Sequence, residues 1–243
     1  MKIDKKFKGL KDVGWRYEYE GSIVTEKALE VDLDMGLYVS GYIKADEYIE
    51  AGEYIKAGGF IEAGEYIKAG WYIEADRSIK AGWYIGAGGY IRAGGYIRTG
   101  EFIRAGEFIK ADEYIKADEY IKAGEYIEAG GYIKADEYIE AGGYIKAGEY
   151  IEAGGSRGIS AGLYINCKGV LKFGGKCFAG ICVWREITDK EKTITCGKLE
   201  GGTIEYGILV ETGLENERRT ELLKKADELI AKAEELKKEA ERV

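Results

Sequence analysis

The 243-residue chain contains neither histidine nor proline. Without histidine it lacks the commonest general base, the commonest catalytic metal ligand and the ordinary switch near neutral pH. Ser–His and Cys–His nucleophile pairs are therefore excluded. Thirty-seven glycines with no proline exclude collagen and polyproline linkers. No apolar run approaches the length of a membrane-spanning helix. The first ten residues, Met1-Lys-Ile-Asp-Lys-Lys-Phe-Lys-Gly-Leu10, carry no apolar signal-peptide core. A cytoplasmic location, or a recombinant host for an engineered chain, is the expectation. Only four cysteines occur, and in a reducing compartment they are expected as free thiols. Basic residues number 36 against 44 acidic, for a net charge of -8, which argues against a nucleic-acid partner.

What is present is a repeat. From Ile43 to Ile151, isoleucine recurs every six residues, nineteen times without a miss. Alanine follows two residues later in eighteen units, with Thr99 the exception. Tyr or Phe precedes the isoleucine in eighteen, with Ser78 the exception. Fourteen Gly and five Asp follow the alanine position. The unit reads Tyr-Ile-Lys/Glu-Ala-Gly/Asp-X, and such a period decides the fold.

A helix cannot use this pattern. Six residues turn a helix by about 600°, so the isoleucines would form three stripes with no single buried face. Fourteen interior glycines would cost about 1 kcal/mol each relative to alanine. A strand can use it. Six is even, so every unit repeats the same inward Ile and Ala and the same outward aromatic and Lys/Glu. The Gly/Asp pair of positions then permits a corner. Short identical strands joined by corners make a β-solenoid, each coil stacked as a parallel ladder about 4.8 Å from the next.

The charged position after each isoleucine sets the number of units per coil. Stacking each unit on the one three later gives nine opposite-charge pairs and five like pairs. Stacking four later gives three opposite and ten alike. Facing like charges destabilise a sheet, and opposite pairs contribute roughly 0.2–1 kcal/mol each. Three units per coil, eighteen residues, is expected. The basic run Arg92, Arg98, Arg104, Lys110, Lys116 and Lys122 is expected to be matched by corner carboxylates Glu101, Glu107, Glu113, Glu119 and Glu125. The fold class is thus mainly β: a triangular parallel β-solenoid with an aromatic ladder along each edge, plus one long C-terminal α-helix.

The hexad Ile-X-Ala-Gly/Asp resembles that of the hexapeptide-repeat β-helices over about residues 37–155, with large and small inward residues exchanged. The resemblance implies three hexads per triangular coil. The acyltransferases and zinc hydratases of that family depend on histidine, so the resemblance carries neither activity here. Ice binding by other β-solenoids uses rows of threonine, and Thr99 is alone in this array.

The array is flanked by less regular sequence. Residues 1–36 read as an N-terminal cap, with the first strand expected where Val31, Leu33, Met35, Leu37 and Val39 alternate. Gly154-Gly-Ser-Arg-Gly158 shifts the isoleucine register by two residues and reads as a loop. Residues 156–213 read as irregular β structure with a hairpin over 181–197, in which Cys182 faces Cys196 and Trp184 faces Ile194. The spacing of Cys167, Cys177, Cys182 and Cys196 does not match a structural zinc site. Buried free thiols are expected, and the hairpin would allow a Cys182–Cys196 disulfide under oxidising conditions. Within the array, the outward positions become irregular at Trp71, Arg77, Ser78, Trp83 and Gly86, which makes Trp71, Arg77 and Trp83 the candidate binding patch.

Residues 214–243 change character. Glycine disappears after Gly213, and Leu222, Ala226, Leu229, Ala233, Leu236, Ala240 and Val243 follow a 4-3 heptad spacing. This uniform helix resembles those of computationally designed proteins, which implies an engineered chain with an appended helix. The heptad stripe is a candidate interface for self-association. No cofactor, metal, membrane or small-molecule substrate is expected. The carboxylates that could run acid–base chemistry recur with the repeat among lysines, as a solvated face does. The expected function is a structural scaffold rather than an enzyme; the alternative is a glycan- or surface-binding module using the aromatic ladders.

Overall fold

The computed structural model describes residues 1–213, 222–226, 229–230 and 232. Its short strands fall into three sheets of 11, 10 and 12 strands, which are parallel apart from one antiparallel pair near the N-terminus, and each other strand pairs with the one a full coil away. Ile73 pairs with Ile55 below and Ile91 above, Glu74 with Lys56 and Arg92, and Ala75 with Ala57 and Ala93. Eighteen residues therefore make one lap of a triangular prism of about 11 turns.

Period two puts the isoleucines inside, and all nineteen from Ile43 to Ile151 have no exposed surface. The alanines two residues on are buried beside them, with Ala87 only partly covered. At Thr99 a hydroxyl replaces the alanine methyl. The residue is still 2% exposed, because its hydroxyl donates to the Trp83 carbonyl one coil below. Outside, the register produces the expected charge columns. Eight of the nine opposite pairs form: Lys44–Glu62, Lys56–Glu74, Lys68–Glu50, Lys80–Glu62, Lys110–Glu128, Lys122–Glu140, Lys134–Glu152 and Lys146–Glu128. At the ninth, Arg92 makes no ion pair, and Glu74 instead accepts from Lys56 and Tyr90. The expected neutralisation of the basic run by the corner glutamates is not seen among the described residues. Arg92, Arg98 and Arg104 have no carboxylate partner, and Lys116 pairs with Asp118.

The ends differ from the sequence reading. The prism does not wait for residue 37. Lys2–Ile3 and Leu29–Val31 already lie in the 11-stranded sheet and Ile23–Thr25 in the 10-stranded one, and Tyr17–Tyr19 pairs in parallel with Leu37–Val39 in the third. The cap is the hairpin of Leu10–Asp12 with Tyr17–Tyr19, which closes the end of the 12-stranded sheet by an antiparallel pair. At the other end Gly154–Gly158 is a corner enlarged by two residues, after which Ile159 regains its place on Ile139. Gly158 has φ +73°, and a Cβ there would lie 2.0 Å from the Lys176 carbonyl oxygen. Glycine is therefore needed to turn the chain back into the ladder.

The hairpin over 181–197 does not form. Residues 181–188 contain no strand, a 3-10 turn spans Asp189–Lys192, and Thr193–Cys196 pairs in parallel with Ile165–Cys167 and Ile208–Glu211. The loop side chains fold against glycine corners instead of a partner strand. Trp184 approaches Gly162, and Ile187 with Lys192 approaches Gly180. The parallel ladder accommodates Thr193–Cys196 without breaking the lap, and this wins over the local pairing. Residues 212–213, 222–226, 229–230 and 232 are helical. Leu222, Leu223, Leu229 and Ile230 are between 58% and 68% exposed, so this apolar face is covered by no other described part of the chain. Ala226 is exposed as well, and Ala233, Leu236, Ala240 and Val243 lie outside the described residues.

Candidate functional site

The aromatic position turns outward at each prism edge, and the lap length places each ring over the one eighteen residues earlier. Three stacks result. One runs Tyr48, Tyr66, Tyr84, Phe102, Tyr120, Tyr138, with centroids 4.8 to 4.9 Å apart and planes within 7° of parallel. The second runs from Tyr54 through Tyr72, Tyr90, Phe108, Tyr126 and Tyr144 to Tyr164. The third is interrupted: Tyr42 stacks on Phe60, and Tyr96, Tyr114, Tyr132 and Tyr150 stack above.

This geometry decides what the ladders can do. Stacked rings cover one another's faces and present edges and hydroxyls to solvent. A sugar or flat ligand that seeks a ring face finds none along an unbroken stack. Some of the hydroxyls are also engaged. Tyr48 donates to Glu30 at 2.9 Å, Tyr90 to Glu74 at 3.1 Å and Tyr144 to Glu128 at 3.2 Å. Burial, reinforced by Tyr54 and Tyr90 at Tyr72, by Glu74 at Tyr90 and by Glu128 at Tyr144, raises these three phenols well above their ordinary value. Burial and Glu50 push Tyr66 up to about 12. These rings act as walls of the prism.

The candidate patch is not assembled as one surface. Trp71, Arg77 and Trp83 precede strands Ile73–Ala75, Ile79–Ala81 and Ile85–Ala87, which belong to three different sheets. They therefore stand at three successive corners of one lap. Trp71 is 65% exposed and lines a hollow of about 450 Å³ with Tyr72, Tyr90, Glu107 and glycines 70, 88 and 89. The hollow exists because Gly88 and Gly89 place no side chains above Trp71. Around the same edge, Gly86 leaves a second hollow of about 480 Å³ between Lys68 and Arg104. Arg77 instead lines a hollow of about 240 Å³ with Phe60, Glu62, Ser78, Lys80 and Tyr96. The sequence marked this last place by Arg77 and by Ser78, the one missing aromatic.

The cysteines lie away from all of these. Ile165 pairs with Ile194 and Asn166 with Thr195, which puts Cys167 and Cys196 on neighbouring rungs of one inward column. Cys177 occupies an isoleucine position above Ile159. All three are buried, and all four cysteines are free. Burial pushes Cys167 and Cys177 up to about 12 and Cys196 to about 11, which keeps the thiols protonated and inert. Among the described residues, no group of three or more cysteines and carboxylates could hold a metal ion. Only Cys182, half-buried in the loop, is reachable. In native protein, maleimide mass labelling is expected to modify one thiol quickly and three only on unfolding. Two or more fast thiols would overturn the inward placement.

Comparison with protein-family models, curated proteins and solved structures finds no match. Among the described residues, no helix is long and apolar enough to cross a membrane.

Proposed function

We propose that this chain is a structural scaffold of engineered origin, a rigid prism whose product is its shape, and that it catalyses no reaction. The observation that supports this reading best is the uninterrupted three-sheet ladder. Along the shaft the outward aromatics stack in three columns and eight lysine–glutamate pairs link successive laps, contacts that hold the prism itself. The inward exchange of large and small residues is a variant of the hexapeptide-repeat frame, with its three hexads per coil. The exposed Leu222, Leu223, Leu229 and Ile230 support an assembly role for the C-terminal helix, as a seam for a second copy.

A scaffold built of equal laps is modular. Excising residues 103–120, one full lap, is expected to leave a folded protein shortened by about 4.8 Å. Circular dichroism and small-angle scattering would read the fold and the length. Loss of β structure on this excision would overturn the scaffold reading, because the laps would then not be interchangeable. The second reading, a binding module, is favoured by the Trp71 hollow, where an exposed indole stands beside glycines that leave room above it. Glycan-array binding that disappears in Trp71→Ala would support that reading.

A further inference from the structure

The third aromatic stack lacks a single ring. Ser78 holds the ladder position between Phe60 and Tyr96, and it is the only non-aromatic residue among the nineteen. The backbone there is intact: Ile61 N–H donates to the Ser78 carbonyl and Ile79 N–H to the Tyr96 carbonyl, both at 2.9 Å. Only the side chain is missing. Phe60 and Tyr96 therefore face each other across two rungs, about 9.6 Å, with nothing from the described chain stacked between them. One ring placed midway would lie about 4.8 Å from each, the spacing the stacks adopt everywhere else.

The end of the first stack shows how an open ring face can be covered. There the Arg157 guanidinium lies over Tyr138, 5.3 Å from its centroid. Among the described residues no cation lies over Phe60 or Tyr96. The Arg77 side chain instead makes no ion pair and is exposed at the rim of the gap. Lys80 and Glu62 also line the gap; Glu62 lies 3.6 Å from Lys80 and is shared with Lys44. The next residue outward in the same column is Arg98, which is also unpaired. Among the residues lining the gap, two cations, Arg77 and Lys80, thus stand against one carboxylate, Glu62, which already serves two lysines.

We infer that the gap at Ser78 is a binding slot for one planar aromatic ring carrying an anionic substituent, such as an aromatic carboxylate. The ring replaces the missing rung between Phe60 and Tyr96, and its anion meets Arg77 and Lys80. A volume of about 240 Å³ admits a single ring with a small substituent. Two ring faces select for planarity, and the rim cations select for charge. The inference goes beyond the scaffold reading and is independent of it.

The probe is 4-hydroxybenzoate, followed by saturation-transfer NMR and isothermal titration calorimetry on the full chain. Binding at one site is expected. Ser78→Tyr fills the slot with the chain's own ring and is expected to abolish binding while the fold, read by circular dichroism, is kept. Arg77→Ala should weaken binding by about tenfold or more, the size of a lost charge-assisted hydrogen bond. Cyclohexanecarboxylate, which is anionic but not planar, should fail to bind, and Trp71→Ala should change nothing. Absence of binding to the wild-type chain would overturn the slot, as would binding that survives in Ser78→Tyr. Equal binding of the cyclohexane acid, or loss of binding in Trp71→Ala, would overturn it too. None of these outcomes touches the lap-excision test of the scaffold.

Discussion

Ile103→Ala is expected to destabilise the protein by about 2–5 kcal/mol, toward the upper part of that range. The isoleucine is wholly buried and stands between Ile85 and Ile121 in a single-file column. Truncation removes its contacts with both neighbours and leaves a cavity. A core that can collapse limits this cost, but here each rung is fixed to the next by backbone hydrogen bonds, such as Ile85 N–H to the Phe102 carbonyl at 3.0 Å. The rung spacing cannot shrink to close the hole. The neighbouring outward residue supplies the control. Arg104 has no carboxylate partner and faces Lys122 in register, so Arg104→Ala should change stability by less than about 0.5 kcal/mol. Urea melts of the two variants make the comparison. If Ile103→Ala costs under about 1 kcal/mol, the inward column is not packed as described.

The second large effect is alkaline unfolding. The unfolded chain ionises its tyrosines near pH 10. In the folded chain Tyr66 is raised to about 12, and Tyr72, Tyr90 and Tyr144 are raised as well, chiefly by burial. A group whose folded value is raised stabilises the fold fully below its unfolded value, and this stabilisation is lost as pH climbs through the folded value. Lys68 and Lys134, raised by their bonds to Glu50 and Glu152, lose stabilisation in the same direction. Once one phenolate forms in a stack, its neighbours lie under 5 Å away and repel it. The tyrosinate absorbance contributed by Tyr66, Tyr72, Tyr90 and Tyr144 should therefore appear together with the loss of β-sheet circular dichroism, beyond the ordinary tyrosine range. Titration of Tyr66, Tyr72, Tyr90 and Tyr144 near pH 10 with the fold intact would contradict their burial in the stacks.

Much of the shaft could be read from the chain because one rule repeats. Ile91 above Ile73 follows from period two, an even unit length and the signs of eighteen outward residues. Eight predicted ion pairs formed for the same reason. Reading was harder where the rule continued in other residue types. Ile23-Val-Thr25 and Leu37-Tyr-Val39 keep the inward frame with Val or Thr in the alanine position, and Leu29 to Leu37 is eight residues rather than six. The prism therefore began earlier than the alanines advertise. Residues 181–197 misled in the opposite way. Alternating apolar residues on both sides of a polar loop suggest a hairpin locally, but a parallel rung was already waiting at Ile165–Cys167. The tryptophans and Arg77 drew attention by their size, while the lap of eighteen distributed them to separate corners. The more informative residue was the serine among them, since a gap in a stack is visible only once the stack is.

The uniformity of the laps also has a cost during folding. From Ile43 to Ile151 the chain can slide past itself by a whole unit and still seat isoleucine on isoleucine. The shaft on its own has no fixed phase. That phase must come from its unique landmarks, the antiparallel pair of Leu10–Asp12 with Tyr17–Tyr19 at one end and the enlarged corner before Gly158 at the other. They work as the two stops of a ruler whose graduations are otherwise indistinguishable.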